Sequence, residues 1–119
     1  MKKTLVLGAS LNEYRYSNMA IRNLVGYDVE VVALGLRKGE VRGVQIETNF
    51  VKFDDIHTVT LYLNAQRQQQ YYDYIISLLP KRVIFNPGTE NIEFEKKLES
   101  ENIHYEIACT LVLISTDQY

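Results

Sequence analysis

A short apolar run near the start, Thr4-Leu5-Val6-Leu7, stops at Gly8 and passes through small and polar residues to Ser17, where a helix-forming stretch begins. A strand that is apolar without alternation must be covered on both faces. The helix that follows is the natural cover for one of them. Strand, tight turn and helix therefore form a unit that a chain of this kind must repeat until the sheet is closed in.

The repeats are legible. Apolar or alternating runs at 29–34, 44–47, 58–63, 82–86 and 103–107 read as strands. The spacing predicts a helix capped by Ser17 or Asn18, running to about Val25 and closed by Gly26. A second helix is expected over 66–79, where Asn64 precedes it, Tyr71, Tyr74, Ile75 and Leu78 make one stripe, and Pro80 stops it. A third starts at Thr89 or Asn91 and carries Phe94 and Leu98 inward. The apolar stretch 109–115 reads as a short last helix or as an irregular tail laid on the core, with the helix favoured. The charged residues 37–40 read as an exposed turn, and 53–56 as a single helical turn. This alternation implies a Rossmann-like, doubly wound α/β fold: a mainly parallel sheet in three α/β/α layers, with strand order 3-2-1-4-5-6.

Composition closes off several function classes. With 119 residues the chain is read as one domain. The formal charge of −2 gives no case for holding nucleic acid. The single cysteine, Cys109, cannot form an internal disulfide or a cysteine-based zinc site. No apolar run approaches the ~20 residues that span a bilayer. The run behind Lys2 and Lys3 is too short for a signal peptide, so the cytoplasm is the expected compartment.

Parallel strands bring their C-terminal ends to one edge, and ligands of such folds bind there, at the switch point between the two halves. The segments on that edge are 8–17, 34–40, 63–66, 86–91 and 108–110. Gly8 permits the turn, and Ala9 and Ser10 keep the approach open. Ser10, Asn12 and Ser17 supply polar side chains, and Arg15 a fork for phosphate. Gly8-Ala9-Ser10-Leu11-Asn12-Glu13 lacks the later glycines of the dinucleotide fingerprint, and no Gly-Lys-Ser/Thr follows, so it is not a P-loop. Strand two ends Ala33-Leu34-Gly35 with Arg37 and Lys38 beyond, where an NAD site wants an acid. Those basic residues suit a phosphorylated ribose, or else form a solvated turn.

Taken in order, Gly8-Ala9-Ser10 with Asn12, Arg15 and Ser17, the 29–34 strand with its basic turn, Asn86-Pro87-Gly88 with Glu90 and Asn91, and Cys109 after the last strand resemble the stand-alone CoA-binding domains. These are related to the CoA-binding half of succinyl-CoA synthetase α subunits. The resemblance covers nearly the whole chain. It departs in two places: Glu13 stands where the family often has proline, and Leu34-Gly35 where it often has Asn-Pro. The resemblance implies a site for coenzyme A or an acyl-CoA. The diphosphate would lie on the 8–12 loop, and the adenosine and its 3′-phosphate toward Leu34, Arg37 and Lys38. The pantetheine arm would cross Asn64 toward Asn86, Pro87 and Gly88. Cys109, on the same edge, reads either as a thiol placed to form a mixed disulfide with CoA by exchange with CoA disulfide or as a small buried hydrophobe.

Catalytic groups are not evident. His57 and His104 open their strands and so fall on the opposite edge, Ser10 has no base partner, and no metal spacing occurs. The expectation is a non-catalytic CoA-binding, carrier or sensor protein. An NAD(P)-binding oxidoreductase or redox sensor, and an interaction module with a vestigial cleft, are the alternatives. The expected macromolecular partner is a second copy or a larger CoA-using enzyme. Tyr62, Tyr71, Tyr72, Tyr74 and Tyr119 offer either core packing or a dimer face.

Overall fold

The computed structural model describes residues 2–119. Its strands are β1 (Thr4–Ala9), β2 (Val31–Gly35), β3 (Gly39–Val41), β4 (Val44–Glu47), β5 (Thr58–Leu61), β6 (Arg82–Phe85) and β7 (His104–Ile107). They form one sheet in the order β3-β4-β2-β1-β5-β6-β7. Every pairing is parallel except that of β3 with β4. The helices are α1 (Tyr16–Gly26), α2 (Ala65–Gln68), α3 (Tyr72–Ser77), α4 (Ile92–Ser100) and α5 (Thr110–Ser115). The fold is Rossmann-like α/β, as the alternation predicts. No helix among the described residues is long and apolar enough to cross a membrane.

Two apolar clusters cover the two faces of the sheet. Leu5 and Leu7 of β1 pack with Val59, Leu61, Val83, Phe85, Ile75, Phe94 and Leu98 on one side. Val6 and Ala9 pack with Ile21, Leu24, Ala33, Ile46, Ile84 and Tyr119 on the other. Adjacent residues of β1 thus feed opposite cores, which is why the strand shows no polar alternation. Helices α3 and α4 cover the first face; α1 covers the second, with Leu113 and Ile114 of α5.

The observed strand order is the predicted 3-2-1-4-5-6 with one strand added at the edge. The residues expected as an exposed turn run instead into β3, which pairs antiparallel with β4 through Val41↔Val44. Arg42 (φ 48°) and Gly43 (φ 83°) make the connection. Two successive left-handed residues are the turn whose twist matches a hairpin.

Four local expectations are corrected. Helix α1 begins at Tyr16, with the extended residue Arg15 at its N-cap and no side-chain cap. Ser17 and Asn18 lie inside the helix and are buried. At its far end the helix runs through Gly26, Tyr27 is the C-cap, and Asp28 takes the left-handed conformation (φ 61°). Residues 53–56 form a bend without a helical turn. The helix expected over 66–79 is broken: α2 ends at Gln68, a 3-10 turn spans Gln69–Tyr71, and α3 follows. Tyr71 and Tyr72 are both buried, at 7% exposure each. Tyr71 ends the 3-10 turn (φ −104°, ψ −3°) and Tyr72 opens α3, so the two tyrosines belong to different helical segments.

Candidate functional site

The chain leaves β1 outward through β2 to the β3–β4 hairpin, then returns to the other side of β1 as β5. Beyond the C-terminal ends of β1, β2, β5 and β6 the diverging loops leave a cleft of about 410 Å³. Its floor is the end of β1 and the loop after it. Gly8 sits there at φ 93°, where the register of β1 against β2 shifts between Leu7 and Ala9. A Cβ on Gly8 would come within 3.1 Å of both the Leu63 side chain and the Tyr62 backbone carbonyl carbon. Glycine is required at this point for conformation and for space.

The loop from Gly8 to α1 is held by its own polar groups. The Ser10 hydroxyl accepts from the Asn12 backbone N–H (3.1 Å), and Asn12 Oδ1 accepts from Tyr14 N–H (2.9 Å). Asn18 Nδ2 donates to the Ser10 carbonyl at 2.9 Å, while its Oδ1 accepts from Arg22 Nε at 2.8 Å. These bonds fix the path that presents Arg15 and the uncapped first turn of α1 to the cleft.

Of the residues expected at the site, Gly8, Ala9, Ser10, Arg15, Ser17, Arg37, Asn64, Pro87 and Gly88 line this cleft together. Asn12 does not line it; its amide is engaged in the turn. Lys38 is exposed outside it, and Leu34 is 1% exposed within the core. Asn86 and Cys109 line a second cavity, of about 230 Å³, which shares Tyr16, Tyr62 and Pro87 with the cleft.

Asn86 is a structural tie between three segments. Its Nδ2 donates to Thr60 Oγ1 (2.7 Å) and to the Leu61 carbonyl (2.8 Å), and its Oδ1 accepts from the Thr110 backbone N–H at 2.9 Å. It is 2% exposed. It thereby fixes the end of β6 against β5 and against the start of α5. A parallel tie lies across the cleft: buried Gln68 donates from Nε2 to the carbonyls of Leu63 and Thr89, 2.8 Å each, and its Oε1 accepts from Asn91 Nδ2. Asn91 also accepts from Phe94 N–H, so it is the cap of α4.

Sequence reasoning missed Arg67, Tyr16, Tyr62 and Leu36, which also line the cleft. Arg67 is placed by the Asn64 cap, whose Oδ1 accepts its backbone N–H at 2.9 Å. Arg15, Arg37 and Arg67 therefore surround one cavity. None of them makes an ion pair among the described residues. No acidic residue lines the cleft, and Glu13 in particular stays outside it. The Tyr62 hydroxyl is buried beside the Thr60 and Thr110 hydroxyls. Burial pushes its pKa well up, while the nearby Thr110 and Thr60 hydroxyls pull it back.

The histidines are remote from this edge. The His57 carbonyl accepts from Lys81 and Arg82 N–H, where β6 begins, and the ring bonds Thr58 Oγ1. His104 starts β7 and is exposed. The tyrosines of the broken helix and Tyr119 are buried among core residues, and Tyr71 also lines the cleft.

A cleft lined by three arginines, a glycine turn and, among the described residues, no acid suits an anion electrostatically. The family model described as CoA binding domain matches residues 2–115. The chain belongs to the CoA binding domain family. A crystal structure of an uncharacterized protein shares 46% identity with it, at a TM-score of 0.97, covering 100% of this chain and 98% of that one. A hypothetical protein from Pyrococcus horikoshii OT3 shares 24% identity and superposes at 0.86, covering 97% and 82%. The dinucleotide forming acetyl-coenzyme A synthetase 1 of Ca. Korarchaeum cryptofilum, in complex with phosphate and ADP, shares 16% identity at a TM-score of 0.73. There the match covers 90% of this chain and 25% of the synthetase. These last two show likeness of fold alone. Among curated proteins nothing matches.

Proposed function

We infer that this protein binds coenzyme A in the cleft, as a binding, carrier or sensor protein without chemistry of its own. The observation that carries the reading is the convergence of Arg15, Arg37 and Arg67 on one acid-free cavity beside the Gly8 turn and the uncapped start of α1. Coenzyme A carries a diphosphate and a 3′-phosphate, and guanidinium forks together with free backbone N–H groups match both. The diphosphate belongs at Gly8-Ala9-Ser10 and the first turn of α1. The 3′-phosphate belongs toward Arg37. The pantetheine arm then crosses Leu63 and Asn64 toward Pro87 and Gly88.

The same lining speaks against NAD, whose ribose hydroxyls call for a carboxylate that the cleft does not offer. A larger CoA-using enzyme is the natural partner for such a module, and the fold's occurrence within a much longer synthetase is in keeping with that role. A thermal-shift panel of CoA, acetyl-CoA, NADH, NADPH and ATP tests the reading, because a ligand that binds only the folded state raises its stability by mass action. CoA and acetyl-CoA are expected to raise the melting temperature and NADH is not. A shift by NADH or ATP equal to that by CoA would overturn it.

A further inference from the structure

We propose that the ligand is an acyl-CoA and that its acyl group, a neutral chain of short to medium length, lodges in the second cavity. This rests on the CoA reading above. The cavity holds about 230 Å³ and is bounded by Tyr16, Tyr62, Asn86, Pro87, Cys109 and Leu111. Tyr16, Tyr62 and Pro87 belong to both cavities, so a ligand in the cleft meets the second one at their shared wall.

Position along the sheet favours this occupant. Arg37 follows β2, on one side of β1, whereas Pro87 and Cys109 follow β6 and β7, on the other. The 3′-phosphate end of a bound CoA and the second cavity therefore stand at opposite flanks of the cleft. A thioester has the same polarity, with phosphates at one end and acyl carbon at the other.

Chemistry narrows the acyl group. None of the six lining residues is charged. The one amide, Asn86, has its polar atoms tied to Thr60, Leu61 and Thr110. The wall thus presents Leu111, Pro87, two aromatic rings and a thiol. A carboxylate, as in a succinyl or malonyl group, would find no cation there and would be desolvated at a cost. Size sets the chain length: an apolar cavity of ~150 Å³ holds a benzene, so this one suits roughly four to eight carbons.

The test is calorimetry with CoA and its acetyl, butyryl, hexanoyl and succinyl thioesters, on the full chain and on Leu111→Trp. Affinity is expected to rise about two- to four-fold per added methylene from acetyl to hexanoyl. Succinyl-CoA is expected to bind no tighter than CoA. In Leu111→Trp, whose indole fills the cavity, the thioesters should bind no tighter than CoA binds to that variant. Alkylation of Cys109, the sole cysteine, gives a second reading that needs no substitution: hexanoyl-CoA at saturation should slow it several-fold more than CoA does. CoA binding with a flat thioester series, or a gain that survives Leu111→Trp, would overturn the acyl assignment and leave the CoA reading standing. No binding by CoA or by any thioester would overturn both.

Discussion

Replacing Asn86 by alanine separates two roles that its place beside the second cavity leaves superimposed. The side chain makes three buried hydrogen bonds, to Thr60 Oγ1, to the Leu61 carbonyl and from the Thr110 N–H, at 2.7, 2.8 and 2.9 Å. Each is worth about 1 kcal/mol net, and a buried group left without a partner costs about 1–3 kcal/mol. Alanine strands the Thr110 N–H and the Leu61 carbonyl, while the Thr60 and Thr110 hydroxyls keep each other at 2.8 Å. The expected loss is therefore about 3–5 kcal/mol, a large part of the ~5–15 kcal/mol typical of a domain. For a chain of this size that corresponds to a fall in Tm of roughly 12–20 °C. Urea unfolding followed by circular dichroism reads it directly, as a lower midpoint with an unchanged slope. Asn86→Asp keeps the acceptor for Thr110 but loses both donors, and should also unfold earlier than the parent. A variant with the parent's midpoint that no longer binds CoA would refute the reasoning, for it would make the amide a ligand group and not a tie.

Other substitutions probe the remaining parts of the account. Gly8→Ala should add about 1–3 kcal/mol of backbone strain without unfolding the protein, while crowding the loop and lowering CoA affinity at least about ten-fold; circular dichroism and calorimetry check the two halves. Arg37→Ala should weaken CoA by about ten-fold or more, as loss of one charge-assisted phosphate contact does, and should erase the preference over dephospho-CoA, whereas Lys38→Ala, outside the cleft, should change the affinity by no more than about two-fold. His57 is held below its ordinary pKa of 6.5, chiefly by burial, with Arg82, Lys2 and Lys81 adding to it. The unfolded chain then binds the proton more readily, so the stability His57 contributes is present above that value and is lost as pH falls below it. His57→Gln should accordingly flatten the acid-side loss of stability seen by urea unfolding between about pH 7.5 and about pH 5.

The sequence and the fold agree most closely where burial alone decides the pattern. The apolar run of β1 is readable because both of its faces meet a core, and Gly8 is readable because a turn is needed where the run stops. Strand β3 was hidden because Arg37, Lys38 and Glu40 look like a solvated turn, although Arg42-Gly43 between Val41 and Val44 is a hairpin signal. The break in the second helix was hidden because Tyr71, Tyr74, Ile75 and Leu78 satisfy the helical spacing whether or not Tyr72 is also drawn inward. The site was legible as a set of loops, since parallel topology brings strand ends together. Its division of labour was not. Asn86 reaches partners 24 to 26 positions away, and only the packed sheet shows that its amide is already engaged. Arg67 has an ordinary surface helix sequence around it, and its place at the cleft follows from the Asn64 cap.

The central claim is that CoA occupies the cleft at the C-terminal ends of the strands. Titrating CoA into isotope-labelled protein and following backbone amide resonances tests it most directly. The account predicts saturable shifts concentrated at Gly8, Ala9, Ser10, Arg15, Ser17, Arg37, Asn64, Arg67 and Gly88, with His57 and His104 on the opposite edge unmoved. Saturable shifts that centre on the His57 and His104 edge, or no shifts at millimolar CoA, would contradict it.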